Sequence, residues 1–260
     1  RVPSGPITAV SGQVISGKLF SAADAIHITI PPGVTGVLIE DCTFTNATNS
    51  CIYNQGADTT VRFCDVGFSA RGILTHAGTG VVVEYNEFED FSTGLPLEGH
   101  AQEIIFSAGP SYVRFNRFLG DNYKSDVASN FQSSNIAFTD NEFDVQIDEP
   151  SGAAFTIGDA LDQSSPGSNN YVARNTVLQS GGVPAGVFGS NGNTVLEFNC
   201  FTAGIQAYNY NGNNFVGVVV RKNVINMGAS YTPMPASAYG GDAAWASNID
   251  GTNCALVPAS

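Results

Sequence analysis

The sequence predicts an all-β solenoid, and three observations carry that prediction. A strand-like phrase recurs at near-constant spacing, Gly and Asn punctuate it, and no segment shows the 3.6-residue apolar stripe of a helix. The phrase reads VLIEDCTF ending at Phe44, VRFCDVGF at Phe68, VVVEYNEF at Phe88 and YVRFNRF at Phe118. It returns as AFTDNEF at Phe143, YVARNTV at Val177, VLEFNCF at Phe201 and VVVRKNVI at Ile225, with a weaker copy, QVISGKLF, at Phe20. Successive ends lie 24, 24, 20, 30, 25, 34, 24 and 24 residues apart. A unit of that size cannot bury its own apolar face and must stack on its neighbours.

Each phrase has the two-residue period of a half-buried strand and is rich in β-branched and aromatic residues. On that period Val61 and Phe63 point inward while Arg62 and Cys64 point outward. In the same way Ile136 and Phe138 face the core while Ala137 and Thr139 face out. Asn86, Asn116, Asn141, Asn175, Asn199 and Asn223 occupy one place near the end of the phrase. Asn tolerates left-handed backbone and bonds to main chain, so these positions read as corners, and stacked corners can form an amide ladder. A second strand follows in each period: AIHIT at 25, CIYNQ at 51, GILTH at 72, GLPLE at 94, VASN at 127, AFTIG at 154, GVFGS at 186 and GIQAY at 204.

The V-x-I-x-x-N-x-F phrase resembles that of the right-handed parallel β-helices of the pectate-lyase-like superfamily, over residues 13 to 226. The resemblance implies a rod of about nine turns, roughly 40 Å long at one strand spacing per turn. Residues 1–12 read as a lead-in, and residues 227–260, which hold Trp245, as a C-terminal capping tail of the same single domain. A β-sandwich of short strands is the alternative, disfavoured because sandwich strands do not repeat one consensus. The superfamily spans polysaccharide lyases, glycosidases, epimerases, phage spikes and adhesins, so the fold leaves the function open. The calcium aspartates and arginine of pectate lyases are absent, as are the N-T-D, D-D, G-H-G and R-I-K signatures of polygalacturonases. EGH at 98–100 is only superficially similar to G-H-G, and no family catalytic residue carries over.

Ten Lys and Arg against 23 Asp and Glu give a formal net charge of −13, which excludes a nucleic-acid partner and disfavours a long polyanion. No apolar run is long enough to insert in a membrane, and no signal peptide is visible. Low Lys with abundant Gly, Ser, Thr and Asn fits a secreted, cell-surface or virion-surface protein. Among the five cysteines, Cys200 and Cys254 are placed to staple the tail to a late turn. Cys42 and Cys64 sit on successive turns two positions out of register. The odd count leaves a free thiol, and buried small hydrophobe is the expected role for most of them.

Stacking equivalent second strands gives two outward columns. One contains His27 and Tyr53, and the other runs Gln55, His76, Glu98 and Asn130, with His100 just beyond. His76 beside Glu98 is a base with an orienting carboxylate, and with His100 forms the first candidate catalytic group. His27 with Tyr53 is the second, a pair suited to proton abstraction next to a sugar carboxylate. The outward column of the first strand is read as Glu40, Cys64, Glu84, Arg114, Thr139, Ala173, Glu197 and Arg221, with Glu84–Arg114 as a cross-turn ion pair. Arg114, Arg117 and Lys124 form the densest basic group, able to meet a uronate or sulfate. Asp148, Glu149, Asp159 and Asp162 lie on a long excursion and have the chemistry of a glycosidase or a calcium site, though no calcium motif is present. Tyr53, Phe188, Tyr208 and Tyr210, among amides, form a surface suited to sugar rings.

These features lead to a β-helix that engages a carbohydrate polymer along an exposed strand face, with Gln55, Asn130, Tyr208, Tyr210, Arg114 and Arg117 as ligand-binding candidates. A polysaccharide lyase or glycoside hydrolase is the first alternative. A structural protein that self-assembles, as a trimer or end to end, is the second. No cofactor or metal is expected.

Overall fold

A computed structural model describes residues 1–67, 69–89, 102–106, 109–123, 127–131, 133–147, 153–159, 167–181, 185–187, 192–202, 205–207, 217–225 and 248–250. Every paired strand is parallel, and three sheets wrap one core. Among the described residues sheet A has 11 strands and sheets B and C have nine each, with no helix. Each coil runs from C to A to B, as in Thr60–Arg62, Asp65–Gly67 and Arg71–Thr75. The recurrent phrase is therefore two strands rather than one, broken by a two-residue corner. Residues 1–12 are part of the stack: Val2–Pro3 pairs with Lys18 and Leu19, and Ile7–Thr8 with Ile28 and Thr29. The repeat also does not end at 226, because Ile249–Asp250 pairs with Val224 and Ile225.

The corner between sheets C and A explains the recurrent Asn. Its first residue has positive φ at Asp41, Phe63, Tyr85, Phe115, Asp140, Arg174, Phe198 and Lys222, between 50 and 59°. The second residue is the Asn, or Cys in the early coils, and points inward. The left-handed residue is thus the one before the Asn, not the Asn itself. The buried amides form a continuous ladder. The Asn116 main-chain N–H and Nδ2 both donate to Oδ1 of Asn141, at 3.1 and 3.0 Å. Asn141 repeats this with Asn175, Asn175 with Asn199, Asn199 with Asn223, and Asn223 with Asn248. Each Nδ2 also donates to a carbonyl of an earlier coil, as Asn141 does to Val113 at 3.0 Å.

Cys42 and Cys64 hold the ladder position in the first coils. They are in register, since Thr43 pairs with Asp65, and not two positions apart as the phrase alignment implied. Both are buried free thiols, and Cys64 N–H donates to Oδ1 of Asn86 at 3.0 Å to begin the ladder. The Cys42 sulfur and then burial push the Cys64 thiol up. Cys51 is also free, and burial pushes it up to about 12. Cys200 is disulfide-bonded, and Cys254 lies outside the described residues.

The core is a column of phenylalanines beside β-branched residues. Phe20 stacks on Phe44 at 4.9 Å, Phe88 on Phe118 at 4.9 Å and Phe118 on Phe143 at 4.4 Å between centroids. Val66, not Phe68, aligns with Phe44 and Phe88. Phe63 is not in the core; it stands 52% exposed on the outer corner.

Candidate functional site

Connection lengths differ sharply around the rod. From Glu40 onward, every C-to-A connection between described strands is the two-residue corner. The long connections between strands of successive sheets adjoin sheet B: 90–101 and 148–154 lead into it, while 160–170 and 208–217 lead out; 226–248 separates two strands of sheet A. Sheet B is thus the one face with added chain at both borders, and loops on a rigid scaffold are where binding sites are built.

On this face the register sets Thr29, Tyr53, Leu74, Ile105, Ser129, Thr156, Gly186 and Gln206 in one row. Thr29, Tyr53 and Leu74 are half-buried. One residue past the strand ends, Gln55 and His76 are neighbours, and the His76 N–H donates to Asn54 O at 2.8 Å. Gln55 is half-buried and His76 exposed, so that part of the expected column forms. Asn130 is not in it. It aligns with Asn54 and Thr75, whose side chains are buried.

The strand beside Arg71–Thr75 is Gln102–Phe106, where the sequence predicts GLPLE at 94. Glu98 and His100 lie outside the described residues. So do Lys124, Asp148, Glu149, Asp162, Phe188, Tyr208 and Tyr210, while Asp159 closes the strand Phe155–Asp159.

His27 and Tyr53 are not a pair. Tyr53 aligns with Thr29, and His27 is 1% exposed, stacked at 5.6 Å on Phe20 and 6.1 Å on Phe44. It stands at the A-to-B corner, where the start of the strand points into the core, and its Nε2 is 3.1 Å from Ala22 O. Burial lowers its pKa, against smaller raising effects of the Ala22 carbonyl and Asp24. With the folded value below the unfolded one, the unfolded chain takes up the proton first as pH falls. The related stability is complete above about 6.5 and is lost as pH drops below it toward the folded value. In urea titrations the midpoint of the wild type should therefore fall more from about pH 7.5 to about pH 5.5 than that of His27→Leu. Equal slopes would assign the acid sensitivity elsewhere.

The arginines of the described residues are engaged within the rod. Arg117 bridges Glu87 and Glu142 at 2.9 and 3.3 Å, and Arg114 meets Glu84 at 2.8 Å as expected. Arg174 binds both oxygens of Asp140 at 2.7 Å. The outward row of sheet C contains Arg62 where Cys64 was expected, and Arg62 pairs with Glu40 at 2.8 Å. Among the described residues no group of three or more His, Cys, Asp or Glu lies together to hold a metal ion.

The exposed aromatics on sheet C and its corner were not legible in the sequence. Tyr112 is 49% exposed in the strand Ser111–Arg114, and Phe63, Tyr85 and Phe115 stack at 5.5 and 5.0 Å along the corner. The signal for Phe63, Tyr85 and Phe115 was the position before each ladder residue, which carries the left-handed backbone and therefore points out.

No curated protein matches the chain. Residues 25–200 match the sequence model of the family described as right handed beta helix region. That span is more than half of the chain, and it coincides with the coils described above: the protein belongs to the right-handed β-helix family.

Proposed function

We propose that this β-helix acts at a cell or virion surface, or as a secreted protein, and engages a carbohydrate polymer along the face of sheet B. The observation that carries the reading is that the long connections between successive sheets fall at the borders of that sheet. A rod with one loop-bordered face suits an extended ligand that runs along its axis. This face offers an aromatic side chain at Tyr53, a hydroxyl at Thr29 and, just past the strand, an amide at Gln55, the groups that stack on and hydrogen-bond to sugar rings. The connections add Tyr208, Tyr210 and the amides of 211–214 in sequence. With a net charge of −13, a neutral glycan is favoured over a polyanion.

Retention on a panel of immobilised neutral and acidic polysaccharides tests this. Tyr53→Ala and Gln55→Ala should each weaken retention about tenfold, one lost contact of roughly 1.4 kcal/mol, with the fold intact by circular dichroism. Absence of retention on every glycan would overturn the reading. Appearance of reducing ends or of unsaturated products, abolished in His76→Ala, would replace recognition by catalysis on the same face.

A further inference from the structure

Sheet C offers a second surface, independent of the loop-bordered face. Three parallel rows run along it. The middle row is Glu40, Arg62, Glu84 and Arg114, one charge per coil with alternating sign. On one side lie Leu38, Thr60, Val82 and Tyr112. On the other is the left-handed corner, Asp41, Phe63, Tyr85 and Phe115. Among the described residues, seven large hydrophobic side chains are exposed, and five of them (Val14, Phe63, Tyr85, Tyr112 and Phe115) lie on this face or its corner. An apolar concentration of this kind on an acidic protein marks an interaction surface.

The pattern says what fits it. A row of alternating charge is its own complement when reversed. A two-fold axis lying in the interface parallel to the strands, midway between Arg62 and Glu84, sets Arg62 of one copy against Glu84 of the other and Glu40 against Arg114. The same axis sets each flanking row against itself in reverse, so Leu38 faces Tyr112 of the second copy, Thr60 faces Val82, Phe63 faces Tyr85, and Asp41 faces Phe115. Every charge of the middle row meets its opposite, Leu38, Val82, Phe63, Tyr85 and Tyr112 each meet another apolar side chain or a Thr, and Asp41 keeps Arg1 of its own copy as its partner. Flat sheets pack face to face with strand directions nearly aligned, and an isologous contact of this kind closes as a dimer.

A sugar is a poorer occupant here. The rings of Phe63, Tyr85 and Phe115 are nearly parallel, with interplanar angles of 18 and 9°, so they cover one another's faces and present edges outward. Sugar stacking needs ring faces, whereas packing by a second apolar surface accepts edges. We propose that sheet C is the interface of a two-fold dimer of this chain, with the register set by the Glu40–Arg62–Glu84–Arg114 row.

Sedimentation equilibrium of the whole chain, with a charge swap in trans, tests this register. The wild type should show a concentration-dependent monomer–dimer equilibrium. Arg62→Glu alone places an acidic group against Glu84 of the second copy, and Glu84→Arg alone a basic group against Arg62. Each should weaken dimerisation at least about 30-fold through like-charge contact, with both variants folded by circular dichroism. Mixed in equal amounts, the two variants should form a heterodimer of about wild-type affinity, since both contacts are again opposite in sign. A wild type that stays monomeric to about 100 µM, too weak for a specific interface, overturns the proposal. So does a dimer indifferent to either variant, or a mixture that does not recover. Glycan retention by the monomeric variants reports separately on sheet B.

Discussion

Replacing Phe118 by alanine should destabilise the rod by about 4 kcal/mol. The ring is fully buried and packed between Phe88 and Phe143, at 4.9 and 4.4 Å, so its removal opens a cavity that neighbouring coils cannot collapse into without breaking register. The same substitution at Phe115, three residues earlier, should cost under about 1 kcal/mol. Phe115 is 42% exposed, and its loss removes one corner stack and leaves the core intact. Urea denaturation of the two variants measures this contrast. Similar losses would mean that the corner does not turn Phe115 outward.

The second large effect is expected at Asn141. Its Oδ1 accepts two bonds from Asn116, and its Nδ2 donates to Asn175 and to Val113 O, at 2.9 to 3.1 Å. Alanine leaves two buried N–H donors of Asn116 and the Val113 carbonyl without these partners, a cost of about 3 kcal/mol in the denaturation free energy. Asn141→Asp keeps the acceptor but turns the donor into a second acceptor facing the Val113 carbonyl and the Asn175 Oδ1. Burial also holds the new carboxyl's folded pKa above its unfolded value, so the variant should be less destabilised at acidic than at neutral pH. A variant as stable as the wild type at neutral pH would mean that the ladder relaxes around a single substitution.

The architecture was readable because each coil repeats one energetic solution. Val61, Val83, Val113 and Phe138 recur as the inward residue of sheet C, and the Asn that follows recurs as the ladder rung. Two-residue alternation failed where the chain turns. The left-handed residue at each corner resets the phase, so Phe63 was expected inward and stands outward, and Cys64 was expected outward and is buried. Cysteine in the place of asparagine also hid the rung, which moved the alignment of that coil from Val66 to Phe68. His27 was misplaced for a related reason: at the A-to-B corner two successive residues, His27 and Ile28, both enter the core. Across residues 90–106 the sequence offers two apolar stretches, GLPLE and QEIIF, and only pairing with Arg71–Thr75 distinguishes the second as the strand. The candidate site fared less well than the fold for this reason. A column of side chains depends on register to the residue, whereas a repeat survives a slip of two.

The tight corner between sheets C and A has a consequence for how such a rod can change over time. Because each Asn bonds to the coils on both sides, an insertion there would sever a chain of amides running most of the length of the molecule. Among the described residues the borders of sheet B carry no such thread. Lengthening the chain at 90–101, 160–170 or 208–217 leaves the ladder intact, so new sequence can accumulate there coil by coil while the opposite seam stays fixed. The molecule therefore works as a rack with a locked spine and open shelves, and grafted peptides should be tolerated on the shelves and rejected at the spine.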